Sequence, residues 1–401
     1  MSTREKTQFP AEGLANSPDR LLSLDALRGS DMLFIMGFSG AIVSFCAWLG
    51  LKDCWVATQM THVAWHGFRH HDTIFPLFLF LAGVSWPFSY ASQVAKGRTT
   101  AAILRKIGFR FLALFFLGIV SGSDFFSFKF ETYRYDSVLA HIAVCWAGAA
   151  LLHMFVRDWK VRVAIVFALL AVHWAVLYFI TAPDAAALLT STDSAVAKKV
   201  ASYAAYGTDN FSFTGNVAGW IDRTFMPGVL YEGIFDPDGL LSKVSGIPLA
   251  LLGVLAGELL RIGRFSGNRK ALILMGAGLA ALALTFAWMP WCPVNKKIWT
   301  GTFVLASASY AFILLSVFYW IVDVKGFTRW TFFFRVIGLN SITIYVAMRV
   351  VDFNRTSRFF FGGLAGAGDK DWSSFVLAMG AVAVEWLVLL FLYRKNTFLK
   401  V

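Results

Sequence analysis

The chain has 401 residues, of which 58% are hydrophobic, and its mean hydropathy is +0.63. It contains 40 Phe and 15 Trp, a content that a soluble protein of this length would rarely carry. The formal net charge of +12 is explained first by membrane topology and anionic lipid, because basic residues of membrane proteins concentrate on the cytoplasmic side. We therefore predict an integral membrane protein that contacts the lipid bilayer and has no nucleic-acid partner.

Residues 1–20 are polar and lack an apolar stretch, which predicts a cytoplasmic tail and not a cleaved signal peptide. Beyond them, uncharged runs such as 32–51 are long enough to cross a hydrocarbon core of roughly 30 Å as helices. The pattern predicts an all-α fold, a polytopic helical bundle of about ten transmembrane helices in a single domain over 1–401. The predicted spans lie near 30–51, 72–92, 103–122, 137–156, 162–182, 243–260, 271–290, 298–322, 333–350 and 373–393.

The charges between these spans are unequally distributed. Residues 91–106 and 261–270 each carry four bases and no acid, whereas residues 183–243 carry seven acids and four bases. Because positively charged connections stay in the cytoplasm, both termini are predicted to be cytoplasmic. The long connection 183–243 and residue His62 are then external. No paired broken helices, as an inverted-repeat transporter would need, are evident from the sequence.

The segment Ser23-Leu-Asp-Ala-Leu-Arg-Gly29 stands just before the first span. Its arginine, Arg28, has two interpretations. It can be an interfacial side chain whose charged end reaches the head groups, beside a helix cap formed by Ser23 or Asp25. It can also contact an anionic ligand that enters from the cytosol.

Four histidines and a carboxylate lie at the mouth of the second span, namely His62, His66, His70, His71 and Asp72. Ionisable groups are costly at a membrane, so a cluster of them predicts a functional site. Histidine exchanges a proton near neutral pH and can carry an acyl group transiently. Asp72 could orient one of the imidazoles, or it could simply cap the helix. The sequence does not decide which imidazole it would orient.

Two external segments are candidates for substrate binding. The connection 183–243 carries Trp220, Asp222, Asp236 and Asp238, and aromatic rings with carboxylates suit a sugar, although a turn that caps the next span is the simpler interpretation. Lys296 lies on the side where the positive-inside rule disfavours a base, which indicates a ligand or an ion pair. Cysteine and histidine show no metal-ligand spacing, so no metal is predicted.

The order of these segments resembles the heparan-alpha-glucosaminide N-acetyltransferase family, including its short bacterial members, over essentially the whole chain. The resemblance is carried by SLDALRG (23–29), HVAWHG (62–67), DTIFPLFLFLAGVS (72–85), GWIDR (219–223), DPDGLLS (236–242), LLGVLAG (251–257), PVNKKIWT (293–300), VDVKG (322–326), GLNSITIYV (338–346) and YRK (393–395).

This resemblance implies an acetyltransferase of the bacterial inner membrane, which uses cytosolic acetyl-CoA as donor and a terminal glucosamine on the far side as acceptor. The catalytic histidine of the family matches His62, with Asp72 beside it as a second catalytic candidate and Trp65 as a candidate for substrate binding. Cytoplasmic-end cations would hold the CoA phosphates, and the candidates are Arg28, Arg105 and Arg110.

This chain departs from the family at two positions. It has Ser39 where the family often has Asn, so Ser39 becomes a third catalytic candidate with a single hydroxyl to donate. It has His141 where the family often has Arg. Two alternatives stay open: an amino-sugar transporter, in which the histidine cluster would be a proton relay and the long connection a gate, and a catalytically inactive membrane scaffold, which these two departures make plausible. The oligomeric state is also open, with a homodimer as one arrangement.

Overall fold

The fold was obtained as a computed structural model, which describes residues 21–123 and 125–399, the side chain of Phe126 excepted. The predicted cytoplasmic tail, 1–20, lies outside the described residues. The described chain is helical and forms no strand, only two isolated bridges. The helices, numbered here in chain order, are α1 (Leu22–Leu33), α2 (Ser39–Trp48), α3 (Trp55–Gln59), α4 (His70–Ala95), α5 (Thr100–Gly122), α6 (Val138–Phe155), α7 (Trp159–Phe179), α8 (Ala185–Leu189), α9 (Ser194–Ser202), α10 (Val217–Phe225), α11 (Leu240–Arg261), α12 (Gly267–Trp288), α13 (Gly301–Tyr319), α14 (Thr331–Gly338), α15 (Ser341–Val350), α16 (Phe353–Ala365) and α17 (Lys370–Arg394).

Many of these helices begin at a side chain that accepts a hydrogen bond from a backbone N–H group of the first turn. Such caps satisfy donors that have no partner within the helix. The capping residues are Thr99, Ser137, Asp158, Asp193, Asn216, Ser266, Asp352 and Asp369. The local sequence therefore determines where most of the long helices begin.

The prediction of an all-α, polytopic membrane protein is confirmed. Among the described residues, eight helical segments are long and apolar enough to cross a membrane, and the pair α14 and α15, bent by 64°, would be a ninth. The eight are Leu22–Trp48, His70–Ala95, Val138–Phe155, Trp159–Phe179, Leu240–Arg261, Gly267–Trp288, Gly301–Val324 and Lys370–Arg394. The remaining predicted span, 103–122, corresponds to α5. That helix is long enough, but it carries three basic residues, Arg105, Lys106 and Arg110, within its apolar stretch.

The chain divides into two compact units, the first with residues up to Lys52 and from Phe318, the second with Asp53–Val317. In the second unit α4 and α11 approach each other closely at glycines. A methyl group at Gly83 would collide with the carbonyl oxygen of Ala250, and one at Gly253 with that of Phe80. Small residues are what allow membrane helices to pack backbone against backbone. Against this pair pack α6 and α7, and α5 packs against α6.

In the first unit α1 and α14 pack through Gly29 and Gly338. Two of its helical segments are interrupted, which the sequence did not indicate. A π-helical segment, Phe34–Phe38, separates α1 from α2, and Gly37 within it has a φ of +106°, a conformation that glycine adopts readily. The second break lies between α14 and α15. The break at Gly37 was missed because it falls inside an uninterrupted apolar run with no proline.

The connection 183–243 is not an irregular loop. It contains α8, α9 and α10, and its side chains, including Phe211, Phe213 and Phe235, form an apolar cluster with residues of other segments such as Trp65 and Leu177. This cluster belongs to the second unit and holds the candidate site loop described next.

Candidate functional site

The site lies in the second unit, on the loop between α3 and α4. Several hydrogen bonds hold the backbone of this loop. The guanidinium of Arg69 donates to the hydroxyl of Thr61 at 2.8 Å and to the carbonyl oxygen of His62 at 3.0 Å. The N–H group of Gly67 donates to the carbonyl oxygen of Val294 at 2.8 Å, with Gly67 at a φ of +133°. The loop is thus fastened to the segment that carries Lys296.

Asp72 is the partner of His62, which answers a question that the sequence left open. His62 Nδ1 lies 2.7 Å from Asp72 Oδ1, and the side chain of Asp72 is only 1% exposed. The other carboxylate oxygen accepts from the N–H groups of Arg69 at 3.3 Å and Val63 at 3.4 Å. Both interpretations of Asp72 therefore hold, because the same carboxylate caps α4 and orients the imidazole.

The pair with Asp72 sets the chemistry of the His62 ring. A carboxylate accepts only, so the Nδ1 atom carries the proton and Nε2 keeps its lone pair. All hydrogen bonds of this ring within the described chain are made by Nδ1, and the side chain is 53% exposed. Nε2 can therefore act as a base or as a nucleophile, in the arrangement that histidine–carboxylate pairs use in catalysis.

Lys296, in the turn that precedes α13, lies close to both His62 and Asp72. Its Nζ atom lies 3.2 Å from His62 Nδ1 and 3.6 Å from Asp72 Oδ1, and its side chain is 19% exposed. Burial lowers the pKa of Lys296 from its usual value, although Asp72 and Asp238 act in the opposite direction. Asn295 shapes the turn, since its side-chain oxygen accepts from the N–H groups of Lys297 and Ile298.

The other three histidines are placed differently. His71 packs its ring against His62, with the ring centroids 4.4 Å apart. His70 Nδ1 lies 2.8 Å from the hydroxyl of Tyr310, and His66 Nδ1 lies 3.3 Å from Asn295 Nδ2. Burial lowers the pKa of His66, so its neutral form is favoured. Of the four rings, that of His62 makes a 2.7 Å hydrogen bond with the buried carboxylate of Asp72.

The two predicted substrate tryptophans both lie in the apolar cluster. The ring of Trp65 is completely buried, and its Nε1–H group donates to the carbonyl oxygen of Phe211 at 2.8 Å. Contact with a ligand would require the loop to open, so in this structure Trp65 holds the site loop in place. Trp220 is partly exposed at the margin of the cluster.

The predicted acidic residues are buried and form a polar network around the start of α11. Asp236 accepts both hydrogen bonds of a bidentate contact with Arg134, at 2.8 and 2.7 Å, and Asp238 accepts a third at 2.9 Å. These carboxylates keep the pKa of Arg134 above its usual value. Burial raises the pKa of Asp238 to about 6. Lys296 lies close enough to act electrostatically on Asp238, which links the network to the histidine site.

Asp222 and Asp136 complete this network. Asp222 accepts from the N–H groups of Asp236 at 3.3 Å and Leu240 at 3.0 Å, so it caps α11, and burial raises its pKa to about 7. Asp136 accepts from Lys243 Nζ at 2.6 Å, and its other oxygen is buried without a hydrogen-bond partner in the described chain. Burial raises the pKa of Asp136 as well.

Sequence reasoning missed Arg134, Asp136 and Lys243 in this network, and Asn295 beside the histidines. Arg134 and Asp136 stand in the motif Arg134-Tyr-Asp136 just before α6, about a hundred residues before their partners. A base and an acid on the external side of a predicted span were the available signal.

The remaining candidates are distributed over both units. Arg28 lies in the first unit, 3.8 Å from Asp25, and Ser39 in the same unit is buried at the start of α2. Arg105 is exposed on α5, and the guanidinium of Arg110 stacks 4.3 Å from the ring centroid of Trp146. His141 is buried in the second unit and stacks on Trp299 at 4.4 Å. Within the described residues, no three His, Cys, Asp or Glu side chains are grouped so as to hold a metal.

Fold and site together define a class: a polytopic, all-helical integral membrane protein with a histidine–carboxylate pair in the loop before one of its spans. Among known proteins, the chain is 28% identical over 421 residues to heparan-alpha-glucosaminide N-acetyltransferase of Homo sapiens, which covers 97% of this chain and 61% of the human protein. It is 26% identical over 437 residues to the Mus musculus protein of the same name, with 98% and 62% covered. No family model matches the chain.

The chain is thus similar, over nearly its whole length, to proteins of the heparan-alpha-glucosaminide N-acetyltransferase family. It spans about three fifths of the length of these curated relatives.

Proposed function

We propose that this protein transfers the acetyl group of cytosolic acetyl-CoA to the amino group of a glucosamine-type sugar on the external side of the membrane. The observation that carries the proposal is the 2.7 Å hydrogen bond from His62 to the buried Asp72, on a ring that is half exposed. An amine must lose its proton before it attacks a thioester, and a neutral imidazole near physiological pH is suited to remove it. The family relationship supports acetyl transfer over other reactions of a histidine–carboxylate pair.

Two routes use the same geometry. In direct transfer, His62 Nε2 takes a proton from the acceptor amine while that amine attacks the thioester carbon, and the C–S bond then breaks so that CoA leaves as the thiolate. In the ping-pong route, Nε2 attacks the thioester first, CoA leaves as the thiolate, and the amine then attacks the acetyl-imidazole. Asp72 stabilises the positive ring in both routes, because it accepts from Nδ1–H throughout. Trapping of an acetyl group on His62 without acceptor would distinguish the second route.

Cations at the cytoplasmic end are proposed to hold the phosphates of CoA. The candidates are Arg28, Arg105 and Arg110. A charge-assisted contact to phosphate contributes about 1.5–3 kcal/mol, so Arg105→Ala should weaken acetyl-CoA binding by about tenfold or more. Equilibrium binding of acetyl-CoA to the purified protein measures this, with the exposed external Lys129→Ala as control. Unchanged affinity in the variants of all three arginines would move the donor site elsewhere.

The acidic network is proposed to receive the acceptor. Asp136, Asp236 and Asp238 outnumber the cations Arg134 and Lys243. A buried excess of negative charge attracts an ammonium group, and the partnerless oxygen of Asp136 is available to it. Asp222, Lys296 and Trp220 are further substrate candidates around this network. A bacterial inner membrane with both termini in the cytoplasm is the proposed setting, in accordance with the charge pattern.

The decisive assay mixes the purified full chain with acetyl-CoA and a panel of amino sugars, and measures the release of free thiol. We expect thiol release only with a primary amine acceptor, and N-acetylated sugar in equal amount. No release with any amine would leave the inactive scaffold or the transporter as the explanation.

A transporter is kept as the second candidate, because two helical segments of the first unit are interrupted, at Gly37 and between α14 and α15. Discontinuous helices line the substrate sites of many transporters. Accumulation of an amino sugar in sealed vesicles without acetyl-CoA would favour this function over the enzyme.

A further inference from the structure

Two adjacent lysines, Lys296 and Lys297, have opposite surroundings. The Nζ atom of Lys297 donates to Glu232 at 2.6 Å and to the hydroxyl of Tyr203 at 2.5 Å, and these partners raise the pKa of Lys297. Glu232 also pairs with Lys199. Lys297 is therefore held as an ammonium ion. It serves as a natural comparison for its neighbour.

Lys296 lies in a different environment. Its Nζ atom lies at the reactive ring, 3.2 Å from His62 Nδ1, and its contact with Asp72 is longer, at 3.6 Å. Burial lowers the pKa of Lys296, so more of it is the neutral amine than of an exposed lysine. A neutral primary amine is the chemical group that the proposed reaction acetylates.

We propose that Lys296 is a self-acetylation site: when no acceptor sugar is bound, its amino group takes the acetyl group that His62 activates. The inference rests on the proposed acetyl transfer and names a modification of the same site. The flexible four-carbon stem of lysine lets Nζ move from the Nδ1 edge of the ring towards Nε2, where the acetyl group is delivered.

The step balances without another reactant. The lone pair of Nζ attacks the acetyl carbonyl carbon, and a C–N amide bond forms. The bond from that carbon to its carrier breaks, and the carrier, either the CoA sulfur or His62 Nε2, leaves with the electron pair. The proton lost from Nζ passes to the carrier or to water. The product is Nε-acetyl-lysine, and no oxidation or reduction occurs.

The modification would be stable, because an amide is a poor acetyl donor, unlike a thioester or an acetyl-imidazole. It also removes a cation from a position near both Asp72 and Asp238. Acetylated protein should therefore turn over acceptor more slowly. A bound acceptor protects against this, since its amine competes for the same acetyl group.

The test incubates the purified full chain with acetyl-CoA alone, digests it, and measures acetylation at each lysine by mass spectrometry. We expect more acetylation at Lys296 than at Lys297, because Glu232 and Tyr203 hold Lys297 as the ammonium ion whereas burial favours the neutral amine of Lys296. Addition of glucosamine should suppress it. In His62→Ala, Lys296 should remain unmodified, and circular dichroism establishes that this variant is folded.

Four results would overturn the inference. Equal acetylation of Lys296 and Lys297, or undiminished acetylation in His62→Ala, would indicate non-specific reaction with acetyl-CoA. An unmodified Lys296 after incubation with acetyl-CoA alone, in a protein that releases thiol when glucosamine is added, would reject self-acetylation and leave the proposed function intact. If neither glucosamine nor Lys296 is acetylated, the proposed function itself fails.

Discussion

His62 and Asp72 differ in burial and in the number of hydrogen bonds that they make. The imidazole is half exposed and packs against little besides His71, whereas the carboxylate is buried and accepts three hydrogen bonds. Removal of the ring should therefore affect the chemistry, and removal of the carboxylate should affect chemistry and folding together. Loss of a buried, hydrogen-bonded acceptor leaves its donors without partners, which costs about 1–3 kcal/mol per group.

The first prediction concerns His62→Ala. Acetyl transfer should fall by a factor of about 10²–10⁴, the usual loss for a general base, with little change in melting temperature. Steady-state thiol release and a thermal unfolding scan in detergent measure the two quantities. His66→Ala is the matched control, because its ring contacts Asn295 and not the carboxylate. Similar losses of activity in both variants would mean that the four histidines contribute alike, and would contradict the proposed role of His62 as the base.

The second prediction concerns Asp222. Burial raises its pKa from 3.8 to about 7 in the folded state, despite two N–H donors. The folded protein then binds this proton more tightly than the unfolded chain. The resulting stability is complete below about pH 3.8 and is lost as the pH rises to about 7. The difference in the pKa of Asp222 between the folded and unfolded chains corresponds to at most about 4 kcal/mol in the free energy of unfolding.

The melting temperature should therefore fall between pH 4.5 and pH 7.5, and Asp222→Asn should reduce that fall. Thermal unfolding scans of both proteins across this pH range measure how steeply the melting temperature falls with pH. Since an amide keeps only one acceptor atom, the variant should also be less stable than the natural protein at the acidic end. Equal slopes would show that the Asp222 carboxyl titrates alike in the folded and unfolded chains.

At the scale of elements, the contact of α4 with α11 determines whether the candidate site rests on a rigid support. The loop that carries His62 runs directly into α4, and the acidic network surrounds the start of α11. The two helices touch through glycines, so their separation cannot increase without a shift at the site. Rigid support of this kind keeps the distances between catalytic groups constant.

The third prediction tests this contact. Gly253→Ala should lower stability by about 1–3 kcal/mol, because the new methyl group meets the backbone oxygen of Phe80, which cannot rotate away. Gly276→Ala on α12 is the control, since nothing lies within 4 Å of its added methyl group. The control should be neutral or slightly stabilising, as alanine favours a helix by about 1 kcal/mol. A destabilisation in Gly276→Ala as large as in Gly253→Ala would refute the packing argument.

The elements were predicted unevenly from the sequence. Hydropathy identified the long spans, because burial in lipid requires continuous apolar runs whatever the tertiary contacts. The interruptions at Gly37 and between α14 and α15 were not predicted, since they depend on what packs against each helix. The short helices within 183–243 were missed for the same reason, as their apolar residues are buried together with Trp65, Leu177 and Ile298 from other parts of the chain.

At the scale of the whole molecule, the fourth prediction concerns topology. In a Cys54→Ser background, a single cysteine at Ser194 should react with a membrane-impermeant maleimide on intact cells, and one at Ser266 only after permeabilisation. The other natural cysteines are buried. Gel-shift labelling measures both, with the protein that lacks an added cysteine as control. The reverse pattern would invert the membrane orientation and remove the two-sided mechanism.

The residues of the candidate site could be predicted from the sequence only in part. The sequence indicated the histidine cluster, Asp72 and Lys296, since charges at the mouth of a span are conspicuous in an apolar chain. It did not pair His62 with Asp72, because ten residues of irregular loop have no periodicity from which contacts can be inferred. It also did not indicate that Trp65 is buried or that Asp236 pairs with Arg134, since both contacts join segments far apart in the chain.

The double role of Asp72 has an evolutionary consequence. A lineage that abandons catalysis but keeps the fold is free to replace His62, whereas replacement of Asp72 would also remove the cap of α4. Decay of the active site should therefore proceed in a fixed order, with the histidine lost first and the aspartate retained. A descendant that keeps the carboxylate without the imidazole would be recognisable, from its sequence, as a folded protein that no longer performs the reaction.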